Sequence, residues 1–343
     1  MNLLTGSSIV KDQRGFGHSA LLSCGRANTS LGSMSLGVER PMIWLPESLD
    51  SYGLVDIADV VESDVFDGIT SAPSSLEQVS FYVIPLLRGA EPLRLMARMP
   101  ALEVVQAQSS GVDAIVPLLP AGVTLCNARS VHDSATAEMA VTLVLAQLRG
   151  IPDYVLDPGF WPAPDDLRPT LADATVLILG YGAIGVAVAR RLSGFECEVI
   201  AVGRTERPGV EPVSALARLL PRADVVIVTV PLTSETDAMV DAAFLAQMRD
   251  GALLVNVGRG PVVRTDDLLA EVASGRLCAA LDVTDPEPLA ADHPMRSMAN
   301  VLITPHAAGR TTVLAPRLKS LVAEQVRRYV RGDSLLNIVA GDY

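Results

Sequence analysis

Short apolar runs recur along this chain at strand length, with helical stretches between them. Met42-Ile43-Trp44-Leu45-Pro46 is the first such run, and Leu102-Glu103-Val104-Val105-Gln106 is another, followed by a turn over residues 109–113. From residue 175 the beat becomes regular. Strands are expected over 175–179, 198–202, 224–230, 253–257, 279–283 and 301–304, and helices over 183–192, 213–220, 242–248 and 266–274. Strand–helix alternation of this kind predicts a parallel sheet covered on both faces. Residues 134–149 are so rich in Ala, Met, Leu and Val that a helix there is apolar on almost every face, which predicts burial between layers or domains. Residues 151–170 hold five prolines with Phe160 and Trp161 and read as a loop too long to be slack. After Gly309 a last helix, through Glu324 and Arg328, is long enough to cross back to the first half.

Length makes this a two-domain pattern, because 343 residues exceed what one core usually holds. A hydrophobic content of 49% supplies both cores. The net charge of -12 argues against nucleic acid as the partner, since phosphate binding draws on clustered Lys and Arg. It favours a cytoplasmic enzyme over a membrane-surface protein. No apolar run approaches the roughly 18 residues of a membrane span. Cys24, Cys126, Cys197 and Cys278 stand far apart without metal-ligand spacing, as small buried hydrophobes do in a reducing compartment, and no metal is expected. Residues 1–40 lack periodicity and are expected to form a flexible extension.

The chemistry begins where strand Val176-Leu177-Ile178-Leu179 runs into Gly180-Tyr181-Gly182-Ala183-Ile184-Gly185, which opens a helix. Gly180 permits the tight turn, Gly182 lets backbone approach a pyrophosphate, and Gly185 lets helix pack on strand. The helix N-terminus then faces the phosphates. This context makes the turn a dinucleotide site. An NAD-preferring fold usually carries an acid about 20 residues on, at the end of the second strand. Here that place reads Val202-Gly203-Arg204-Thr205-Glu206-Arg207. Arg204 and Thr205 suit a 2′-phosphate, which favours NADP over NAD; the competing reading is a solvated basic loop with Glu206 on the ribose.

Several motifs in order resemble the D-isomer-specific 2-hydroxyacid dehydrogenase family: LCNARSVHDSATAE at 125–138, GYGAIG at 180–185, VPLTSET at 230–236, NVGRG at 256–260, LDVTDPEPL at 281–289 and TPHAAG at 304–309. The resemblance covers about residue 41 to the final helix. It implies an α/β fold of two Rossmann-like domains with doubly wound parallel sheets, the cofactor domain inserted into the substrate domain. Residues 41–137 and 310–343 then form the substrate domain and 138–309 the NAD(P)-binding domain. It also implies catalytic roles for Arg259, Glu287 and His306. Arg offers a planar fork to a 2-keto acid's carboxylate, and can stabilise charge on the carbonyl. His can give the keto oxygen its proton, and a neighbouring carboxylate orients the ring and favours its charged form.

By the same resemblance, Ser110 and Gly111 receive the substrate carboxylate, Thr136 touches cofactor phosphate or ribose, and Val230, Pro231 and Val257 form a wall against the cofactor. Asp282 resembles the residue that bonds the nicotinamide carboxamide, with a buried strand-end cap as the alternative. The segment of Phe160 and Trp161 resembles a dimerising arm, which implies a homodimer. Ser130 departs from the pattern, standing where relatives place Gly. Read on residue type alone, Arg259 could be a turn residue, Glu287 a solvated loop acid, His293 an exposed loop residue and His132 a domain contact or helix cap. The expected activity is reduction of a small 2-keto acid with NADPH, as in glyoxylate or hydroxypyruvate reductases. A redox-sensing corepressor-like protein and a 3-phosphoglycerate dehydrogenase are the alternatives.

Overall fold

The computed structural model describes residues 40–340, so the extension expected over residues 1–40, with His18 and Cys24, lies outside them but for Arg40. The first sheet is wholly parallel and contains β1 (Met42–Leu45), β2 (Glu62–Val65), β3 (Val79–Val83), β4 (Val104–Gln106) and β5 (Thr124–Cys126), in the order β2-β1-β3-β4-β5. Its inner strands are buried along their whole length, as parallel strands covered on both faces must be. β2 reads Glu-Ser-Asp-Val and is largely exposed, an edge strand that apolar patterning does not reveal. A one-turn helix, α1 (Glu91–Arg94), lies between β3 and β4.

Two helices lead to the second sheet, α2 (Asp133–Leu148) and α3 (Ile151–Leu156). As expected of a helix apolar on almost every face, α2 is largely covered: Ala137, Ala140, Val141 and Val144 join the core under the second sheet, and within the helix only Glu138 and Thr142 are exposed. The expected long loop also gives way, for its first six residues form α3 with Pro152 in the opening turn, where no N–H is missed.

The second sheet comprises β6 (Thr175–Leu179), β7 (Glu198–Gly203), β8 (Glu211–Pro212), β9 (Val225–Val228), β10 (Leu253–Asn256), β11 (Cys278–Leu281) and β12 (Val301–Ile303). Between them run α4 (Ala183–Leu192), α5 (Leu216–Leu219), α6 (Ala242–Gln247) and α7 (Thr265–Ala273). The helix expected over 213–220 breaks into single turns around α5, because Pro221 cannot continue it. The last helix, α8 (Leu314–Arg331), returns to the first sheet. There Val322, Ala323 and Val326 join one buried cluster with Ile43, Leu45 and Phe81. At about 1.5–3 kcal/mol for each fully buried valine, that face alone holds the helix in place.

Strand order in the second sheet is β12-β11-β10-β9-β6-β7-β8, every pair parallel. Chain order reverses between β6 and β9. Such a reversal opens a crevice beyond the carboxyl ends of the strands, where open α/β sheets bind ligands.

Candidate active site

The glycine turn sits in that crevice. Gly180 has φ 101°, and a Cβ there would come within 2.8 Å of the Val230 amide nitrogen and 3.0 Å of the Thr229 carbonyl carbon. A side chain at Gly185 would overlap the Gly180 carbonyl. Protein contacts explain both glycines, but not Gly182, the N-cap of α4, whose Cβ would meet nothing within 4 Å. That open space lies before a helix N-terminus without a side-chain cap, where backbone N–H groups remain for an anion. These residues therefore fit a dinucleotide pyrophosphate.

A cleft of about 460 Å³ follows, lined by Gly182, Ala183, Arg204, Val230, Pro231 and Val257. Arg204 stands just past β7, its guanidinium 3.8 Å from exposed Glu235. Thr205 is exposed beside it. Arg207 donates from Nη2 to the Tyr181 carbonyl at 2.6 Å, a second cation fastened to the glycine turn that the linear motif does not reveal.

A second cavity of about 660 Å³ shares a wall with this cleft through Ser110, Gly111, Ile184, Val257 and Arg259. Arg259 follows β10 in a loop shaped by buried Asn256, whose Nδ2 donates to the Arg259 carbonyl at 2.9 Å and whose Oδ1 accepts from the Gly258 amide at 3.0 Å. The guanidinium donates from Nε to Asp113 at 3.1 Å and from Nη1 to the Gly258 carbonyl at 2.9 Å. Its Nη2 lies directly over Gly111, where any Cβ would overlap it. Arg259 is thus no ordinary turn residue: it presses onto the turn containing Ser110 and Gly111 in the other half of the molecule. Asp113, which orients it, is 146 positions away in sequence, so no spacing rule finds it.

On the opposite side, His306 Nδ1 and Glu287 Oε1 are 2.5 Å apart. The carboxylate accepts, so the Nδ1 proton lies between them and Nε2 is left for a reacting atom. His306 holds φ 48°, a left-handed conformation that a non-glycine residue keeps only when its surroundings impose it. They do: its amide donates to the Asp282 carbonyl at 2.8 Å. Asp282, 1% exposed, also accepts from Thr304 Oγ1 at 2.5 Å, the Ala307 amide at 2.9 Å and the Ala308 amide at 3.0 Å. A buried carboxylate saturated in this way braces the loop that carries the histidine. Asp282 also lines the cavity, as does Thr136, which is buried on α2.

His132 lies in the same cavity, its Nε2 3.1 Å from the Gln108 carbonyl. Of its two expected roles the cap does not hold, because its side chain makes no cap bond to α2. Burial pushes its pKa below the usual histidine value, and the nearby charges of Arg259 and His306 act the same way. His293 is instead on the far loop, accepting from the Met295 amide. Ser130 has φ 73°, the backbone that a glycine would have relieved. Among the described residues no group of His, Cys, Asp and Glu is arranged to hold a metal, and no helix is long and apolar enough to cross a membrane.

Residues 141–308 match the family model described as D-isomer specific 2-hydroxyacid dehydrogenase, NAD binding domain. A glyoxylate reductase of Thermofilum pendens is 31% identical over 86% of this chain and 93% of its own. The chain belongs to the D-isomer-specific 2-hydroxyacid dehydrogenases. It is therefore an oxidoreductase acting on the CH–OH group, and its cofactor is a nicotinamide dinucleotide. Two solved structures resemble it closely in fold. A family member from Xanthobacter autotrophicus in complex with NADPH and MES gives a TM-score of 0.72 at 29% identity, over 87% of this chain and 98% of that one. An NADPH-dependent glyoxylate/hydroxypyruvate reductase from Sinorhizobium meliloti, with NADP and malonate, gives 0.69 at 27%, over 88% and 97%.

Proposed function

We propose that this enzyme reduces a small 2-keto acid to the D-2-hydroxy acid with NADPH, in the manner of a glyoxylate or hydroxypyruvate reductase. The observation that carries the reading is the meeting, in one cavity, of the Arg259 guanidinium over Gly111 and the His306–Glu287 pair. The substrate carboxylate sits on Arg259 Nη2 and the turn of Ser110 and Gly111. When bound, the reduced nicotinamide supplies a hydride to the keto carbon. His306 gives the keto oxygen its proton from Nε2, while Glu287 holds Nδ1–H and stabilises the imidazolium before the transfer. Arg259 steadies the negative charge growing on that oxygen, at a site where fixed donors need no reorganisation.

Cofactor contacts extend this reading. Gly180 to Gly185 take the pyrophosphate, Val230, Pro231 and Val257 wall the nucleotide, and Thr136 and Asp282 approach its nicotinamide half. Arg204, Thr205 and neighbouring Arg207 receive a 2′-phosphate. The Arg204–Glu235 pair is exposed on both sides, so it is worth little and leaves Arg204 available. Residues 41–137 and 310–343 act as the substrate domain and 138–309 as the cofactor domain, closing on the cleft to exclude water. Ile151, Val155, Leu156, Trp161 and Leu167 are all exposed along one segment, Trp161 to 91%, which supports a homodimer built through that arm.

The test is a panel of small 2-keto acids with NADPH and NADH in parallel. We expect turnover with NADPH, and in Arg204→Ala a far larger rise in KM for NADPH than for NADH. No turnover of any 2-keto acid overturns the reaction; equal losses for both cofactors overturn the 2′-phosphate assignment.

A further inference from the structure

The charged groups lining the larger cavity account for one another with a single exception. Asp282 is spent on the loop of His306, and Glu287 on His306 itself. Arg296 donates from Nε to the Ala290 carbonyl at 2.9 Å and from Nη2 to the Leu289 carbonyl at 2.6 Å. Arg259 uses Nε and Nη1 within the protein and keeps Nη2 for the carboxylate every 2-keto acid carries. His132 has its Nε2 engaged with Gln108. That leaves Arg310, four residues past His306 on the same loop. It lines the cavity, and its guanidinium makes no hydrogen bond, ion pair or ring contact among the described residues.

Arg310 is exposed, and the same cavity is lined by Leu86, Leu87 and Leu314. Leu87 is 71% exposed and held at φ 56°, a left-handed conformation unusual for a leucine. The cavity, about 660 Å³, is larger than a two-carbon keto acid and a nicotinamide ring fill together. A planar cation whose guanidinium donors are unused among the described residues prefers an anion with its oxygens in a carboxylate or phosphate geometry.

We propose that Arg310 is a specificity-determining residue that binds a second anionic group at the distal end of the substrate, so that the enzyme selects dianionic 2-keto acids. The proposal rests on the 2-keto acid reading above. Arg259 fixes one end of the substrate, Arg310 the other, and the leucines cover the carbons between.

Pairs that differ in the distal anionic group test it: oxaloacetate against 2-oxobutyrate for a distal carboxylate, and phosphohydroxypyruvate against hydroxypyruvate for a distal phosphate. In the wild type kcat/KM should favour the dianion of at least one pair by about 10–150-fold, the worth of one charge-assisted hydrogen bond. Arg310→Gln should collapse that ratio towards one, and Arg310→Lys should keep most of it. Because each value is a ratio on one preparation, a partly folded variant still gives an answer. A wild-type ratio near one in both pairs, or a ratio that Arg310→Gln leaves intact, overturns the proposal. Calorimetric binding of D-malate and D-lactate to the NADPH complex separates this from the reaction itself. If no keto acid turns over yet D-malate binds tighter than D-lactate only while Arg310 is present, the subsite stands and the reductase reading falls. Equal binding of these two acids, together with equal binding of 3-phospho-D-glycerate and D-glycerate, counts against the subsite.

Discussion

Gly111→Ala isolates the contact on which the proposed substrate binding depends. The backbone at Gly111 is not in the left-handed region, so alanine is free to adopt it and the whole effect is steric. The new methyl group would occupy the position of Arg259 Nη2 and Cζ. What yields is the far end of a long side chain rather than backbone, so the fold should lose about 1 kcal/mol or less. The guanidinium, however, must leave the turn, and with it goes the donor left free for the substrate carboxylate. Losing one charge-assisted hydrogen bond costs about 1.5–3 kcal/mol, which corresponds to about 10–150-fold in kcat/KM. Steady-state kinetics with the best 2-keto acid should show this loss, with NADPH affinity by fluorescence titration and the melting temperature little changed. A variant within about threefold of wild type in kcat/KM would refute the placement of the carboxylate on Arg259.

Further outcomes follow from the same geometry. His306→Asn should lower kcat by about 10²–10⁴-fold, the usual worth of a general acid, with cofactor affinity retained; turnover near the wild-type rate would remove His306 from the proton step. His132 has a folded pKa below its unfolded value, so the unfolded chain takes up the proton first as pH falls. Its neutral burial costs nothing above about pH 6.5 and subtracts stability progressively below it. His132→Gln should therefore show a flatter decline in urea stability from pH 7 to pH 5, and parallel curves for variant and wild type would contradict this. Ser130→Gly relieves a left-handed serine and should stabilise the fold by about 0.5–1 kcal/mol in the same assay, whereas a loss would mean the serine is held by contacts that matter more.

Much of this molecule was legible in one dimension because the relevant physics is local. The central strands β6, β9 and β10 of the second sheet are buried on both faces, so they had to be near-continuous runs of Val, Ile and Leu, and they read as such. The glycine turn was legible in part for a similar reason: Gly185 answers to the Gly180 carbonyl and Gly182 to open space at a helix N-terminus, whereas Gly180 answers to the distant Thr229 and Val230. Exposed or very short elements were not. β2 carries charge at an edge, β8 has two residues, and α3 begins with a proline inside a segment that looks like loop.

The sequence by itself determined the alternation that makes two parallel sheets and the glycine turn proposed for a dinucleotide, and its family resemblance singled out Arg259, Glu287 and His306. Only the tertiary structure decided what those groups face. Arg259 is aimed by Asp113 from the other half of the chain, and Gly111 is small because that guanidinium lies on it. Asp282 holds the histidine loop with both its oxygens. His132 turns out to line the cavity, and Arg310 to stand there without a side-chain partner among the described residues. Hydrogen bonding and charge balance at a site are sums over groups that chain folding brings together from distant positions. Residue order fixes which groups exist, but not which of them are left unpaired when the cleft forms.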